Sequence, residues 1–248
     1  MKKILFILML ITSCICLSCN NSNREIIYSY VNGYGDAHLA LGNVGGWGAE
    51  VKSHEYKNGI GKITFKSTIT SIPEFAFINS TILKSITIPN SVTKIENEAF
   101  SGCKNLESIT IPNNVTKIGD GTFSECKSLK NINIPKSVTK IGNNAFYDCH
   151  ALGSVTIPNS VTEIGDEAFF GCKNLSKVYC NATTPPNIGE KVFSYYEYIY
   201  DYKSFYSEPH TKLRNIKCKI YVPTASVNSY KTANGWSNYS NNIIGYDF

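Results

Sequence analysis

Apolar residues recur along this chain with a fixed period of 23 residues. The phrase ITIPNSVTKIENEAFSGCKNLES begins at Ile86, and closely similar phrases begin at Ile109, Ile132 and Val155. The alternation at the start of each phrase, apolar then polar then apolar, predicts a short strand with one side buried. A repeat of this length is typical of a solenoid, in which each unit buries its apolar edge against the next.

Each repeat is expected to contain a strand, a corner and a short return segment. In the second copy, Pro112 ends the strand because proline cannot donate a ladder hydrogen bond. Gly119 is expected to adopt left-handed backbone at a tight corner. The spacing of Phe123, Cys126 and Leu129 predicts one turn of α-helix or 3-10 helix. We therefore expect parallel strands stacked about 4.8 Å apart.

The repeat resembles the BspA-type leucine-rich repeat family, whose phrase is close to L-x-x-I-x-I-P-x-x-V-x-x-I-G-x-x-A-F-x-x-C. The residues that carry the resemblance are Leu106, Ile109, Ile111, Pro112, Val115, Ile118, Gly119, Phe123 and Cys126, with their equivalents in the other copies. The resemblance implies an α/β leucine-rich-repeat solenoid, a curved right-handed coil on a bacterial cell surface that acts in adhesion or recognition. It brings no catalytic residues.

The N-terminus is typical of an export signal. A basic start precedes an apolar run, residues 4–11, that is too short to span a bilayer as a helix. Residues 1–18 resemble a bacterial lipoprotein signal with Cys19 as the lipidated residue, and Cys14 is the alternative. Residues 19–23 would form a tether. We expect a lipid anchor in the envelope of a Gram-negative bacterium, in the outer membrane and facing outward.

The two ends of the repeat region are expected to differ from its middle, because a bare terminal repeat exposes an apolar face and a strand edge. The predicted division is an N-terminal cap at 24–62, repeats at 63–193, a Tyr-rich insertion at 194–215 and a C-terminal cap at 216–248. Trp236 and Tyr239 are expected to close the core.

Two surfaces are candidate binding sites. The insertion carries Tyr195, Tyr196, Tyr198, Tyr200 and Tyr202, which either contact a partner directly or form a hairpin packed on the solenoid. The outward side of the strands carries hydroxyls and amides, namely Ser108, Thr110, Asn131, Asn133, Ser154 and Thr156. A strand surface in water is polar in any case, so these residues either bind a protein or glycan or only face solvent.

The cysteines after each Phe are expected to form a ladder of buried thiols, with disulfides or a metal site as the alternatives. Cys180 and Cys218 flank the last, altered repeat and are the candidate disulfide pair. Outside the signal segment, which contains Cys16-Leu17-Ser18-Cys19, no CxxC motif occurs, and the four histidines form no motif, so we expect no metal site and no cofactor.

Charge and motifs narrow the function further. The formal charge is +5, and removing Lys2 and Lys3 with the signal leaves 22 basic and 19 acidic residues, or +3. The basic residues are spread along the sequence rather than clustered, so the sequence predicts no basic patch for binding nucleic acid. The sequence contains no nucleophile elbow, HExxH motif or phosphate loop, so we expect no enzyme activity. The alternative to a surface binding protein is a scaffold of the periplasmic envelope.

Overall fold

A computed structural model describes residues 23–30, 44–199, 210–215 and 217–247. Its N-terminal end contains three strands, β1 (Glu25–Tyr30), β2 (Val51–Lys57) and β3 (Ile60–Phe65), and a 3-10 helix (Val44–Trp47). β3 lies between β1 and β2, and both pairs are antiparallel. The alternation of buried and half-buried residues along β1 and β3 turns Ile26, Tyr28, Ile63 and Phe65 toward the core.

The repeats contain eleven short strands that alternate between two sheets. In chain order these are β4 (Ser71–Ile72), β5 (Leu83–Thr87), β6 (Lys94–Ile95), β7 (Ser108–Thr110), β8 (Lys117–Ile118), β9 (Asn131–Asn133), β10 (Lys140–Ile141), β11 (Ser154–Ile157), β12 (Glu163–Ile164), β13 (Lys177–Cys180) and β14 (Asn187–Ile188). The even-numbered strands pair in parallel, each with the next copy. The predicted solenoid of stacked parallel strands is confirmed.

The odd-numbered strands form the other wall of the coil. β5 pairs in parallel with β7 and antiparallel with β1, and β9, β11 and β13 pair in parallel. A hydrogen bond of 3.4 Å from the Lys130 N–H to the Glu107 carbonyl links the two groups just before β7 and β9. The wall is therefore continuous from the first repeat to the last.

The expected helical or 3-10 return is wrong in detail: the third side of each coil is a series of turns. Its short-range bonds do span three residues, as from the Cys126 N–H to the Phe123 carbonyl (3.2 Å). Two residues per repeat, however, have positive φ, for example Glu98 (51°) and Gly102 (72°) in the first copy. Left-handed residues interrupt a helix, and the freed N–H groups bond to the neighbouring coil instead, as Phe100 does to Thr122 (2.9 Å).

Gly119 is not one of these left-handed residues, so the reason predicted for it is wrong. A Cβ atom at Gly119 would lie 2.8 Å from the backbone nitrogen of Asn97 in the preceding coil. The Oδ1 of Asn97 in turn accepts a hydrogen bond from the Asp120 N–H (2.9 Å), and Asp120 does the same for Asn143. Glycine is required at Gly119, Gly142, Gly165 and Gly189 because the preceding coil lies too close for a side chain.

A column of phenylalanine rings fills the interior. Adjacent rings have centroids 5.0–5.6 Å apart and planes within 17° of parallel, in the order Phe77, Phe100, Phe123, Phe146, Phe169 and Phe193. Trp47 packs edge-on against the first ring at 5.6 Å, and Tyr239 packs edge-on against the last at 5.4 Å. An edge-to-face ring is a favourable end for such a stack.

The C-terminal end is built from different elements. These are β15 (Ser194–Ile199), β16 (His210–Asn215), β17 (Lys219–Pro223), a 3-10 helix (Thr224–Ser226), α1 (Val227–Thr232), a second 3-10 helix (Trp236–Asn242) and β18 (Ile243–Tyr246). β17 and β18 continue the wall of odd-numbered strands beyond β13, in parallel. Trp236 and Tyr239 are buried against Phe193, as the sequence predicted.

The repeated cysteines are free and buried, and their thiols bond to backbone. Each donates to the carbonyl of the Phe in the preceding coil at 3.1–3.3 Å, as Cys126 does to Phe100. Burial raises the pKa of Cys103 to about 12 and that of Cys126 well above its usual value. The thiol ladder therefore joins coils as a set of neutral hydrogen-bond donors.

Cys180 and Cys218 are both buried and free, so the candidate disulfide is not formed. The register of β13 and β17 explains this, because Lys177 pairs with Lys219 and Tyr179 with Tyr221. Cys180 is thus offset by four residues from Cys218, or roughly 13 Å along the strands. A disulfide requires Cα atoms within about 7 Å.

Candidate binding surface on the outer strand face

The outward side chains of β5, β7, β9, β11, β13, β17 and β18 form one surface, here called the outer strand face. The six residues predicted from the strands all lie on it: Ser108, Thr110, Asn131, Asn133 and Thr156 are exposed, and Ser154 is half-buried. The inward residues between them are buried, because successive side chains of a strand point to opposite sides. Over its first four strands this face is a plain surface of hydroxyls and amides.

Parallel pairing arranges these residues in two rows. Ser154 lies between Asn131 and Lys177, and Lys177 pairs with Lys219. The second row runs two residues further along each strand and contains Asn133, Thr156, Tyr179, Tyr221 and Ile244. The rows are therefore polar and neutral until β13, where their composition changes.

The change produces an aromatic cluster at the C-terminal end of the face. The rings of Tyr179 and Tyr221 stack with centroids 4.9 Å apart and planes at 15°. Tyr246 packs edge-on against both, at 5.9 and 5.7 Å, and is 45% exposed. Ile244, 38% exposed, pairs with Tyr221. We call Tyr179, Tyr221, Ile244 and Tyr246 the tyrosine patch.

Two lysines lie beside the tyrosine patch. Lys177 and Lys219 are exposed and occupy directly paired positions on β13 and β17. Within the described residues, neither ammonium group has a carboxylate partner. Like charges opposite one another on adjacent strands are unfavourable. The pair therefore gives this end of the face a local positive charge that no described residue neutralises.

A groove of about 470 Å³ lies beyond the other side of the patch. It is lined by the turns that follow β11 and β13, including Asn159, Thr162, Asn181 and Thr183. Asn181 comes two residues after Tyr179, which places it about 7 Å further along the same side of the chain. The lining offers amides and hydroxyls, groups that both donate and accept hydrogen bonds.

The turn of the last repeat that lines this groove is fixed by residues of the C-terminal elements. This turn, from Asn181 to Asn187, has one residue more than the same turn in earlier copies. The Tyr230 hydroxyl donates to the Ala182 carbonyl (2.9 Å), and the Trp236 Nε1–H donates to the Pro186 carbonyl (2.8 Å). Both tyrosine and tryptophan are buried, so the extra residue is fixed by the C-terminal elements.

The strand residues predicted from the sequence, Ser108 to Thr156, did not include Tyr221, Ile244 or Tyr246. The signal was available in Lys219–Pro223, where Lys, Tyr and Pro alternate with Ile and Val as in a half-buried strand. The repeat pattern does not predict that β17 pairs with β13, because β17 lies 42 residues after β13 rather than one period away.

The Tyr-rich insertion contains an antiparallel hairpin formed by β15 and β16. Tyr195 is partly buried against the core, and Tyr196 is 42% exposed with its ring edge-on to Phe170 at 5.2 Å. Tyr198 pairs with Thr211 in the backbone register, but its side chain is outside the described set. Tyr200 and Tyr202 lie outside the described residues, as do Cys14 and Cys19.

The described residues contain few other candidates for chemistry. Among them no cluster of three or more His, Cys, Asp or Glu residues could hold a metal ion. Within the same ranges, no helix has both the length and the apolar character needed to cross a bilayer. Several charged groups of the described residues form exposed ion pairs between coils, such as Lys130 with Glu107 at 3.3 Å.

The sequence profile of the BspA type leucine rich repeat region matches this chain in six copies, over residues 51–176 and 116–237. These ranges together cover more than half of the chain. No match was found among curated proteins.

Several solved structures are similar to this chain. A leucine rich repeat protein of T. pallidum shares 29% identity over 52% of this chain and 70% of its own, with a TM-score of 0.48. A leucine-rich repeat protein from Bacteroides ovatus shares 29% over 58% of this chain and 47% of its own (TM-score 0.44). A leucine rich cell surface protein from Faecalibacterium prausnitzii shares 22% over 70% and 62% (TM-score 0.35). The chain therefore spans between 47% and 70% of the length of these proteins.

Proposed function

Because the chain belongs to the BspA-type leucine-rich repeat family, we propose that it is a non-catalytic surface protein of a Gram-negative bacterium that binds a host or bacterial macromolecule. The binding surface is the C-terminal end of the outer strand face. The observation that carries the proposal is the break in the repeat there, where Ser, Thr and Asn give way to two lysines and the tyrosine patch. Exposed aromatic clusters on an otherwise polar surface are typical of interaction sites.

The side-chain chemistry of the outer strand face supports a role in binding rather than catalysis. Its two rows offer hydroxyl, amide, ammonium and phenol groups, and none of their members is a carboxylate. The buried thiols have raised pKa values and are therefore poor nucleophiles at neutral pH. A rigid sheet with a large exposed area suits recognition through surface contact.

The location is proposed from the N-terminus. The basic start, the apolar run and Cys19, or alternatively Cys14, resemble a lipoprotein signal. A lipid anchor holds the polypeptide in water beside an outer membrane.

Protease treatment of intact and disrupted cells tests the location. A protein on the outside is degraded in both samples, whereas a periplasmic scaffold is degraded only after disruption. Protection in intact cells would overturn the surface role and favour the scaffold.

Binding is tested with the full chain on an array of extracellular-matrix proteins and glycans. We compare the wild type, the double variant Tyr179→Ser/Tyr221→Ser and a deletion of residues 196–213 from the hairpin. Loss of binding in the double variant with retention in the deletion supports the outer strand face. The opposite result would move the site to the hairpin, and the absence of any binding would overturn the recognition role.

A further inference from the structure

The C-terminal end of the outer strand face combines three kinds of group in a fixed order along the strands. Lys177 and Lys219 come first, then the stacked rings of Tyr179 and Tyr221, then the groove beside Asn181. Successive groups on one side of a strand are about 7 Å apart, so the whole series spans about 13 Å. An aromatic cluster thus lies between a positive charge and a set of hydrogen-bonding side chains.

We propose that this surface binds an acidic oligosaccharide, one whose sugar rings carry a carboxylate or a sulfate. The proposal rests on the function proposed above and specifies its ligand.

The tyrosine patch offers aromatic surface to a sugar ring. Tyr179 and Tyr221 stack face to face, so their facing sides are covered, and Tyr246, which is 45% exposed, packs at 67–71° against both. The ring of Tyr246 and the outward edges of the stacked pair form a corner that can contact the apolar C–H groups of a pyranose ring. Tyrosine offers this rigid amphipathic area at little entropic cost, since it has only two side-chain torsions.

The lysine pair selects an anion. The two ammonium groups lie on adjacent strands and have no carboxylate partner among the described residues. Asp247 lies toward the other end of β17, since its neighbour Tyr246 pairs with Pro223, and it accepts a hydrogen bond from the Thr224 hydroxyl (2.8 Å). A carboxylate or sulfate placed between the lysines would remove their mutual repulsion and make charge-assisted hydrogen bonds, which are stronger than neutral ones.

The groove supplies the polar contacts that sugar hydroxyls need. Asn159 and Asn187 contribute amides, and Thr162 and Thr183 contribute hydroxyls, whereas the Oδ1 of Asn181 is buried. Glu163, next to Thr162, forms an ion pair with Lys140 and so adds little repulsion. Buried hydroxyls of a ligand must be hydrogen-bonded, and these side chains can both donate and accept.

An acidic peptide would also be attracted by the lysines, but it explains less of the surface. A peptide gains affinity at a sheet mainly through backbone hydrogen bonds along an open strand edge. Lys177, Lys219, Tyr179 and Tyr221 instead face outward from strands whose backbone is already paired on both sides. An acidic oligosaccharide alternates anionic groups with apolar ring faces, so it matches both the lysine pair and the tyrosine patch.

The test is titration calorimetry of the full chain with three tetrasaccharides. The probes are a hyaluronan tetrasaccharide, a chondroitin sulfate tetrasaccharide and the neutral chitotetraose. We expect at least one acidic probe to bind at least tenfold more tightly than the neutral one, and added salt to weaken it.

Single substitutions identify the groups responsible. Lys219→Gln and Tyr246→Ser are each expected to weaken the acidic probe at least fivefold. Lys117→Gln, an exposed lysine of β8, and Tyr196→Ser, an exposed tyrosine of the hairpin, are the matched controls and should bind as the wild type does. Circular dichroism melting checks that each variant is folded.

Three results would overturn the proposal: no binding of either acidic probe, equal binding of chitotetraose, or equal affinity in the test and control variants. Binding of matrix proteins that depends on Tyr179 and Tyr221, without binding of any tetrasaccharide, would leave the proposed function intact and remove only the acidic saccharide.

Discussion

At the residue scale, several repeated positions contact the neighbouring coil. Cys126 donates its thiol hydrogen to Phe100, and the Asx side chains at the corner accept from the next coil's backbone. The corner glycines lie where that backbone passes. These contacts explain why a single change can disturb two coils at once.

Gly142→Ala is expected to destabilise the protein by about 1–3 kcal/mol, because the added methyl group overpacks the corner. The new Cβ would lie 2.3 Å from the Asp120 Oδ1 and 2.7 Å from the Asp120 nitrogen. Gly153→Ala is the matched control, since its Cβ would meet no atom within 4 Å. Urea unfolding of both variants gives the comparison, and equal midpoints would contradict the close-approach explanation.

The buried thiols predict a loss of stability in alkali. Burial raises the pKa of Cys126 well above the usual 9.0, so the folded state keeps the thiol neutral while the unfolded chain ionises. The resulting stability is complete below pH 9 and is lost as the pH rises above it. Cys126→Ser keeps a hydroxyl donor but does not ionise in this range.

The free energy of unfolding, measured by urea between pH 8 and pH 10.5, should therefore fall less steeply in Cys126→Ser. The difference in slope approaches about 1.4 kcal/mol per pH unit, the value for one proton. Identical slopes would mean that Cys126 is accessible or already ionised.

At the element scale, the terminal elements replace contacts that a further repeat would have made. Trp47 closes one end of the phenylalanine column, and Trp236 and Tyr239 close the other. Beyond β13, β17 and β18 extend the strand wall, and the exposed edge of β18 ends it.

Tyr239→Phe is expected to destabilise the protein by about 1–3 kcal/mol. The tyrosine hydroxyl accepts from the buried Phe193 N–H at 3.2 Å, and the variant leaves that donor without its acceptor. Tyr196→Phe, on the exposed hairpin, should change stability by less than about 0.5 kcal/mol. Thermal and urea unfolding measure both, and a neutral Tyr239→Phe would show that the contact contributes nothing.

At the scale of the whole molecule, each coil touches mainly its two neighbours, so stability should behave as a chain of local interfaces. Backbone bonds join coils on all three sides, for example from Phe123 to Ala145 and from Gly142 to Ile118. The three-strand N-terminal end adds antiparallel pairing that the repeats lack.

Hydrogen exchange read by mass spectrometry should reveal this locality. In Gly142→Ala, amide protection is expected to fall most in residues 109–165 and least in β2 and β3. The Gly153→Ala variant again provides the control. A uniform loss of protection along the chain would indicate a single cooperative unit instead.

The sequence by itself determined the repeat unit. The period of apolar residues fixed which side chains face inward, because a stacked coil buries the same positions in every copy. It also predicted the parallel strands, the buried free thiols and the closure of the core by Trp236 and Tyr239.

Tertiary structure decided the features that depend on contacts between coils or between distant strands. The role of Gly119 came from the passage of Asn97, and the separation of Cys180 from Cys218 came from the register of β13 and β17. The tyrosine patch also depends on that register, which joins strands 42 residues apart after the period has ended. A period describes neighbours one repeat away, so a site built where the repeat stops is visible only in three dimensions.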